Sequence, residues 1–87
     1  MMTEFVMPKL AMAMNEGTVN AWLAEEGSWV DKGTAVAEVE TEKVAYEVET
    51  PLEGFLHIVV PAGETVPVEV AIARFYSSEE DYRAAVG

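Results

Sequence analysis

The chain has 87 residues, of which 5 are basic and 16 acidic, so its formal net charge is −11. This length allows one small domain, and the negative charge disfavours nucleic acid as a partner because phosphates are negative too. The lack of cysteine excludes disulfides and thiolate chemistry, and one histidine, His57, leaves too few ligands for a histidine-built metal site. No apolar run reaches the ~18 residues of a membrane span, so we expect a soluble, cytoplasmic protein without membrane contact.

Short apolar runs between glycine and proline predict an all-β fold. In chain order the candidate strands are Glu4–Met7, Thr18–Leu23, Ser28–Val30, Ala35–Thr41, Val44–Thr50, Phe55–Val60, Thr65–Val68 and Ala71–Phe75. Pro67 interrupts the seventh run and lacks a backbone donor, so we expect that strand at a sheet edge or a bulge.

The end of the chain differs in composition, which divides the sequence into a domain over residues 1–76 and a polar tail over residues 77–87. Ser78 could cap a short helix whose first turn is acidic. Nine residues are marginal for a helix without packing, so we expect a frayed tail or the start of a linker.

The sequence also repeats itself, since residues 27–39 align with residues 63–75, and residues 16–23 with residues 53–60. In the second alignment alternate apolar residues match, so both copies would bury the same face. The matched pairs are Val19 with Leu56, Ala21 with Ile58, and Leu23 with Val60. Unless the match is a coincidence of small apolar residues, two halves related by a pseudo-two-fold axis predict a flattened barrel or sandwich.

Residues 35–50 predict a β-hairpin with Glu42-Lys43 at its tip, because apolar and acidic residues alternate over residues 37–40 and 46–49. The register would place Thr41 opposite Val44 and Glu38 opposite Glu47. A slip of one residue would bury carboxylates, so the register is well specified. One face would carry Val39, Thr41, Val44, Tyr46 and Val48, and the other Glu38, Glu40, Glu47 and Glu49. Taken alone, a lysine at such a tip is a solvated charge that limits aggregation.

The tip sequence Glu40-Thr41-Glu42-Lys43-Val44 resembles the lipoyl-attachment motif of lipoyl domains, the swinging-arm carriers of 2-oxo acid dehydrogenase complexes. Further likenesses follow in collinear order between Phe5 and Phe75. They are the segments 7–10 and 14–19, similar to the opening of the pyruvate- and acetoin-dehydrogenase type, and the turns at 27–33, 53–54 and 62–63. Two departures are Glu42, where the family most often has Asp, and Val44, where it often has Ala.

This resemblance implies an all-β, flattened barrel-sandwich of two four-stranded antiparallel sheets. It implies lipoic acid in amide linkage to Lys43, with Glu42 and Val44 as flanking residues for recognition. The domain would be a non-catalytic carrier, without catalytic or metal-binding residues, within a dihydrolipoamide acyltransferase (E2). It would shuttle acyl groups and electrons among the active sites of a pyruvate- or acetoin-type complex.

The implied partners are a lipoate-protein ligase or lipoyl synthesis enzymes, a thiamine-diphosphate-dependent decarboxylase (E1), the E2 core and an FAD-dependent dihydrolipoyl dehydrogenase (E3). The isolated domain is expected to be a monomer. Candidate recognition residues on the hairpin and in the neighbouring loop 9–15 are Glu38, Glu40, Glu47, Leu10, Met12 and Met14. The ordinary alternatives are solvated carboxylates and a hydrophobic loop that covers an open end of the sandwich.

Other functions remain open at this point. A biotin carrier domain of a carboxylase presents its lysine from a similar hairpin, but typically between two methionines. An unmodified acidic interaction module would use the same surface. An acyltransferase is disfavoured because no residue resembles its catalytic histidine motif, and His57, in mid-strand, is interpreted as structural.

Overall fold

The computed structural model describes residues 1–42 and 44–87. These residues form the strands β1 (Met2–Val6), β2 (Glu16–Trp22), β3 (Trp29–Val30), β4 (Ala35–Glu40), β5 (Ala45–Glu49), β6 (Gly54–Ile58), β7 (Thr65–Pro67) and β8 (Ala71–Tyr76), and the helix α1 (Glu79–Val86). Each predicted strand is present, and no end differs from the prediction by more than two residues.

The strands form two antiparallel four-stranded sheets, one in the order β1-β8-β6-β3 and the other in the order β5-β4-β2-β7. Exchanging β2 with β6, β3 with β7, β4 with β8 and β5 with β1 converts one order into the other. The predicted pseudo-two-fold sandwich is therefore confirmed. β1 and β5 are outer strands of different sheets, so the sandwich does not close into a barrel, and Pro67 lies on the edge strand β7 as predicted.

When the halves are taken as β2–β5 and as β6–β8 with β1, each contributes one short strand to the other half's sheet. β3 pairs with β6, and β7 pairs with β2. The loops that precede these strands also form hydrogen bonds between the halves. The Gly27 N–H donates to the Leu56 carbonyl at 2.7 Å, and the Gly63 N–H donates to the Val19 carbonyl at 2.6 Å. The two halves are thus interlocked by backbone hydrogen bonds.

The hydrophobic core lies between the two sheets and follows the repeat. Matched residues of β4 and β8 are without exposed surface, and the Phe5 and Phe75 rings meet edge to face at 6.0 Å. The matched residues are Val36 with Ile72 and Ala37 with Ala73. The core is consequently built from the same strand positions twice.

One matched pair breaks this pattern. Leu23 is 48% exposed, whereas its counterpart Val60 is 8% exposed, so the expected burial of Leu23 is wrong. The pairing of β2 with β4 shifts register between Val19 and Ala21. An irregularity of this kind changes the face on which later residues lie.

The tail forms α1, so the expectation of a frayed tail is wrong, although its role as the start of a linker stays a prediction. Ser78 caps the helix by accepting a hydrogen bond from the Asp81 N–H at 3.1 Å. Tyr82 supplies the packing: its hydroxyl donates to Glu26 Oε2 at 2.6 Å, and its ring meets Tyr76 edge to face. Within the described part of the chain, this short helix offers no segment that could span a bilayer.

Glu26 joins the tail to the sandwich. Burial alone would raise the pKa of Glu26, but hydrogen bonds from Tyr82, the Ile58 N–H and His57 outweigh it and lower this pKa. The bond to Glu26 in turn raises the pKa of Tyr82. Because the carboxylate is favoured in the folded state, its contribution to stability is present above the ordinary carboxyl pKa and is lost as the pH falls through the folded-state pKa.

The close approach of β6 to β8 can be tested at Gly54, the first residue of β6. Gly54 has a φ of 149°, and a Cβ added there would lie 2.7 Å from the Tyr76 carbonyl oxygen. Gly33 also has a positive φ of 89°, but no described atom lies within 4 Å of its added Cβ. We expect Gly54→Ala to lower the free energy of unfolding by more than about 3 kcal/mol, because backbone must move. Gly33→Ala should cost only about 1–2 kcal/mol, from conformational strain. Urea unfolding measures both, and equal losses would contradict the close approach.

Candidate functional site

The hairpin formed by β4 and β5 has the predicted register. Val39 lies opposite Tyr46, and Glu38 lies opposite Glu47. Val39 is buried and Tyr46 half-buried, whereas Glu47 is exposed and Glu38 half-buried. The hairpin therefore has one face in the core and one acidic face toward solvent.

The pairing continues to the tip of the hairpin. The Thr41 N–H donates to the Val44 carbonyl at 2.8 Å, and the Thr41 hydroxyl donates to the same carbonyl at 3.1 Å. Glu42 and Val44 are both exposed. Lys43 and the turn at the tip lie outside the described residues, so the candidate attachment residue is located by its flanking residues.

Asn20 organises the acidic face of the hairpin. Its amide Nδ2 donates to Glu38 Oε2 at 3.1 Å and to Glu40 Oε1 at 2.9 Å. One side chain of β2 thus fixes two carboxylates of β4, and the sequence analysis did not single it out. No local pattern in the sequence identifies Asn20, because its contacts depend on the pairing of β2 with β4.

An open groove of about 740 Å³ lies beside the tip. Residues 11 and 13–18 line one side, and residues 40–42, 44 and 46 line the other. The loop 9–15 is therefore next to the hairpin, the neighbourhood that the family resemblance implies. The groove combines the apolar surfaces of Ala11, Ala13 and Val44 with the carboxylates of Glu16 and Glu40.

The loop's three candidate recognition residues differ in what they offer a partner. Met12 is 96% exposed, so almost its whole side chain is available. Leu10 is half-buried against the core, and its N–H lies 3.2 Å from Met14 Sδ. Met14 is only 6% exposed and packs in the core. Met14 consequently supports the loop and is not available to a partner, whereas Met12 remains a candidate recognition residue.

The arrangement is suited to presentation of a group at the hairpin tip. The described residues around the tip supply carboxylates, hydroxyls and apolar side chains, and the described part of the chain contains no group of three or more potential metal ligands. A tip flanked by exposed residues and joined to a core strand can carry a covalent attachment without disturbing the fold.

Comparison with known proteins gives the same family for most of the chain. The biotin/lipoyl family model, described as "Biotin-requiring enzyme", matches residues 3–75. Among curated relatives, the dihydrolipoyllysine-residue acetyltransferase components of the acetoin cleaving systems of Cupriavidus necator and Bacillus subtilis are 41% and 39% identical over 92% and 100% of this chain. The corresponding component of the pyruvate dehydrogenase complex of Rhizobium meliloti is 44% identical over 91% of this chain. The matches cover 23%, 22% and 18% of those relatives, so the chain spans about a fifth of their length.

The pseudo-two-fold axis provides a matched test of the acidic face. Glu47 lies opposite Glu38, whereas its counterpart Glu4 lies opposite Arg74, whose Nε is 3.9 Å from Glu4 Oε2. We expect Glu47→Gln to raise the free energy of unfolding by a few tenths to ~1 kcal/mol, since it removes a like-charge pair. Glu4→Gln should lower it by about 0.5 kcal/mol or less. Urea titrations at neutral pH compare the two variants, and the same sign for both would contradict the assigned pairing.

Proposed function

The chain belongs to the biotin/lipoyl family, and from that premise we propose that it is a lipoyl carrier domain with lipoic acid in amide linkage to Lys43. The main support for this proposal is that relatives matching nearly the whole chain are named for a dihydrolipoyllysine residue. The hairpin supports this proposal because Glu42 and Val44, the neighbours of Lys43, are exposed on a strand pair in register with the core. The domain itself is a carrier and not a catalytic unit.

Biotin is the competing attachment, since the family includes biotin carriers. Biotin carrier domains resemble this hairpin but typically place methionine on both sides of the lysine. Here the neighbours are Glu42 and Val44, and the methionines lie at positions 1, 2, 7, 12 and 14. The flanking residues therefore favour lipoic acid over biotin.

A carrier needs a long, flexible arm on a stiff base. Lipoic acid, when bound, supplies a dithiolane that accepts an acyl group and two electrons, chemistry that belongs to the cofactor. The chain's own residues provide the base: the Thr41–Val44 bonds close the hairpin, and Val39 fixes it to the core. A tethered arm meets its enzymes at a high effective concentration. Because the base is stiff, the length of the arm alone sets the distance that the attached group can reach.

The proposed partners follow from the relatives' dehydrogenase and acetoin cleaving systems. They are a thiamine-diphosphate-dependent decarboxylase (E1) that acylates the arm, an acyltransferase core (E2), and an FAD-dependent dihydrolipoyl dehydrogenase (E3). A lipoate-protein ligase or lipoyl synthesis enzymes would attach the cofactor. We place these encounters in the cytoplasm, and we assign recognition to Met12 and to the acidic residues Glu38, Glu40 and Glu47.

The modification is tested by mass spectrometry after expression with lipoic acid and its ligase. We expect one lipoyl group, located on Lys43 and not on Lys9 or Lys32, because Lys43 is the only lysine in the sequence between the paired strands β4 and β5. Lys43→Arg should retain the fold by circular dichroism and carry no lipoyl group. A label on Lys9 or Lys32 would contradict the assignment. The double variant Glu42→Met with Val44→Met, tested with biotin ligase, should gain biotin if the neighbours determine the choice of cofactor.

Recognition by the decarboxylase is tested with Met12→Gln in the lipoylated domain. Because the Met12 side chain is almost entirely exposed, it has little packing to lose, so any fall in acylation rate reports a lost contact. We expect kcat/KM for acylation to fall by about fivefold, the scale of one apolar contact. Leu23→Gln is the matched control, since Leu23 is exposed directly after β2, where its N–H donates to the Val36 carbonyl, away from the tip. Equal effects of both variants, or none from Met12→Gln, would remove this loop from the recognition surface.

A further inference from the structure

A second groove lies between the outer strands of the two sheets, β1 and β5. Its volume is about 710 Å³. Residues 3–6, 8 and 10 line one side, and residues 47–49, 51 and 52 line the other. β1 and β5 exchange under the pseudo-two-fold axis, so the groove lies where the sandwich fails to close.

The floor of this groove is part of the hydrophobic core. Phe5 and Val48 are buried members of the core, and Leu10 and Leu52 pack against it while remaining half-buried. An apolar side chain placed in the groove would remove this surface from water, which is the main source of favourable free energy in association.

The walls of the groove are strand edges. In the described chain β1 pairs with β8 and β5 pairs with β4, so each has a second edge without a neighbouring strand. Each strand has five residues, which corresponds to an extended segment of about 17 Å. Neither strand contains the lysine or proline with which proteins often protect an edge. An extended segment could therefore hydrogen-bond to this edge as an added strand.

The negative charge of the residues at the rim of the groove favours a basic binding partner. Glu4, Glu47 and Glu49 are exposed, and the described lining residues include no lysine or arginine. Glu4 lies near Arg74, so Glu47 and Glu49 provide most of the negative field. A second copy of this chain would bring glutamate against glutamate, which is unfavourable across a strand pair. A basic segment would be attracted.

We propose that the groove between β1 and β5 binds an extended segment of another protein in which lysine or arginine alternates with apolar residues. The segment adds a strand to a sheet edge, directs its apolar side chains toward Phe5 and Val48, and directs its basic side chains toward Glu47 and Glu49. This interaction is independent of the proposed lipoyl attachment, since the described lining residues of the groove stop short of the hairpin tip.

The test uses the 87-residue chain carrying Lys43→Arg, so that lipoylation cannot influence the result. The probe is a fluorescein-labelled eight-residue peptide of alternating lysine and valine, and fluorescence anisotropy measures its Kd. A peptide with two valines replaced by proline keeps the charge but loses backbone donors, and should bind at least about tenfold more weakly. Glutamate in place of every lysine should abolish binding.

Matched charge reversals separate the groove from general attraction by an acidic protein. Glu49→Lys lies in the rim, and Glu64→Lys lies in an exposed loop outside the groove; the two variants have the same net charge. Glu49→Lys should weaken binding at least about fivefold, and Glu64→Lys less than about twofold. In nuclear magnetic resonance spectra, the peptide should shift the amide signals of β1 and β5.

Several outcomes would overturn the proposal. They are no binding, equal binding of the proline peptide, equal weakening by the two reversals, or amide shifts confined to other strands. A dimer of the chain alone, with shifts in β1 and β5, would put a second copy in the groove and would also overturn it.

Discussion

The exchange of short strands between the two halves is the constraint on which the rest of this structure depends. A half of this size cannot bury enough apolar surface to be stable alone. Its sheet becomes four-stranded only when the other half supplies β3 or β7. Bonds between the halves continue in the adjoining loops: the Gly27 N–H donates to the Leu56 carbonyl, and the Gly63 N–H to the Val19 carbonyl. Folding of either half therefore requires the other, and the hairpin inherits the stiffness of the whole domain.

The symmetry of the backbone is not matched by symmetry of charge. β1 pairs with β8 in the same register in which β5 pairs with β4, including an irregularity at the corresponding position. The acidic pair Glu38 and Glu47 nevertheless corresponds to Arg74 and Glu4. Because the folds of the two halves are equivalent, the unbalanced charge beside the hairpin tip is not required by architecture. The proposed role of this acidic face in partner recognition accounts for the charge.

Local patterns in the sequence were sufficient to predict the strands, the register of the hairpin and the pseudo-two-fold sandwich. Alternation of apolar and acidic residues specifies a register because an error would bury charge. The failures all involve contacts between distant residues. Tyr82 stabilises α1 through Glu26, Leu23 is displaced by a register shift, and Asn20 reaches across to another strand. The burial of Met14 likewise depends on how the loop folds back on the core, which spacing does not reveal.

The position of β8 has a mechanical consequence. This strand lies between β1 and β6, pairs antiparallel with both, and leads directly into the tail. A pulling force applied through the tail would act along β8 and load two ladders of hydrogen bonds at once, in shear. The strand could not be peeled away one bond at a time, as an edge strand could. Tension at this end would thus be shared by many bonds before any of them broke.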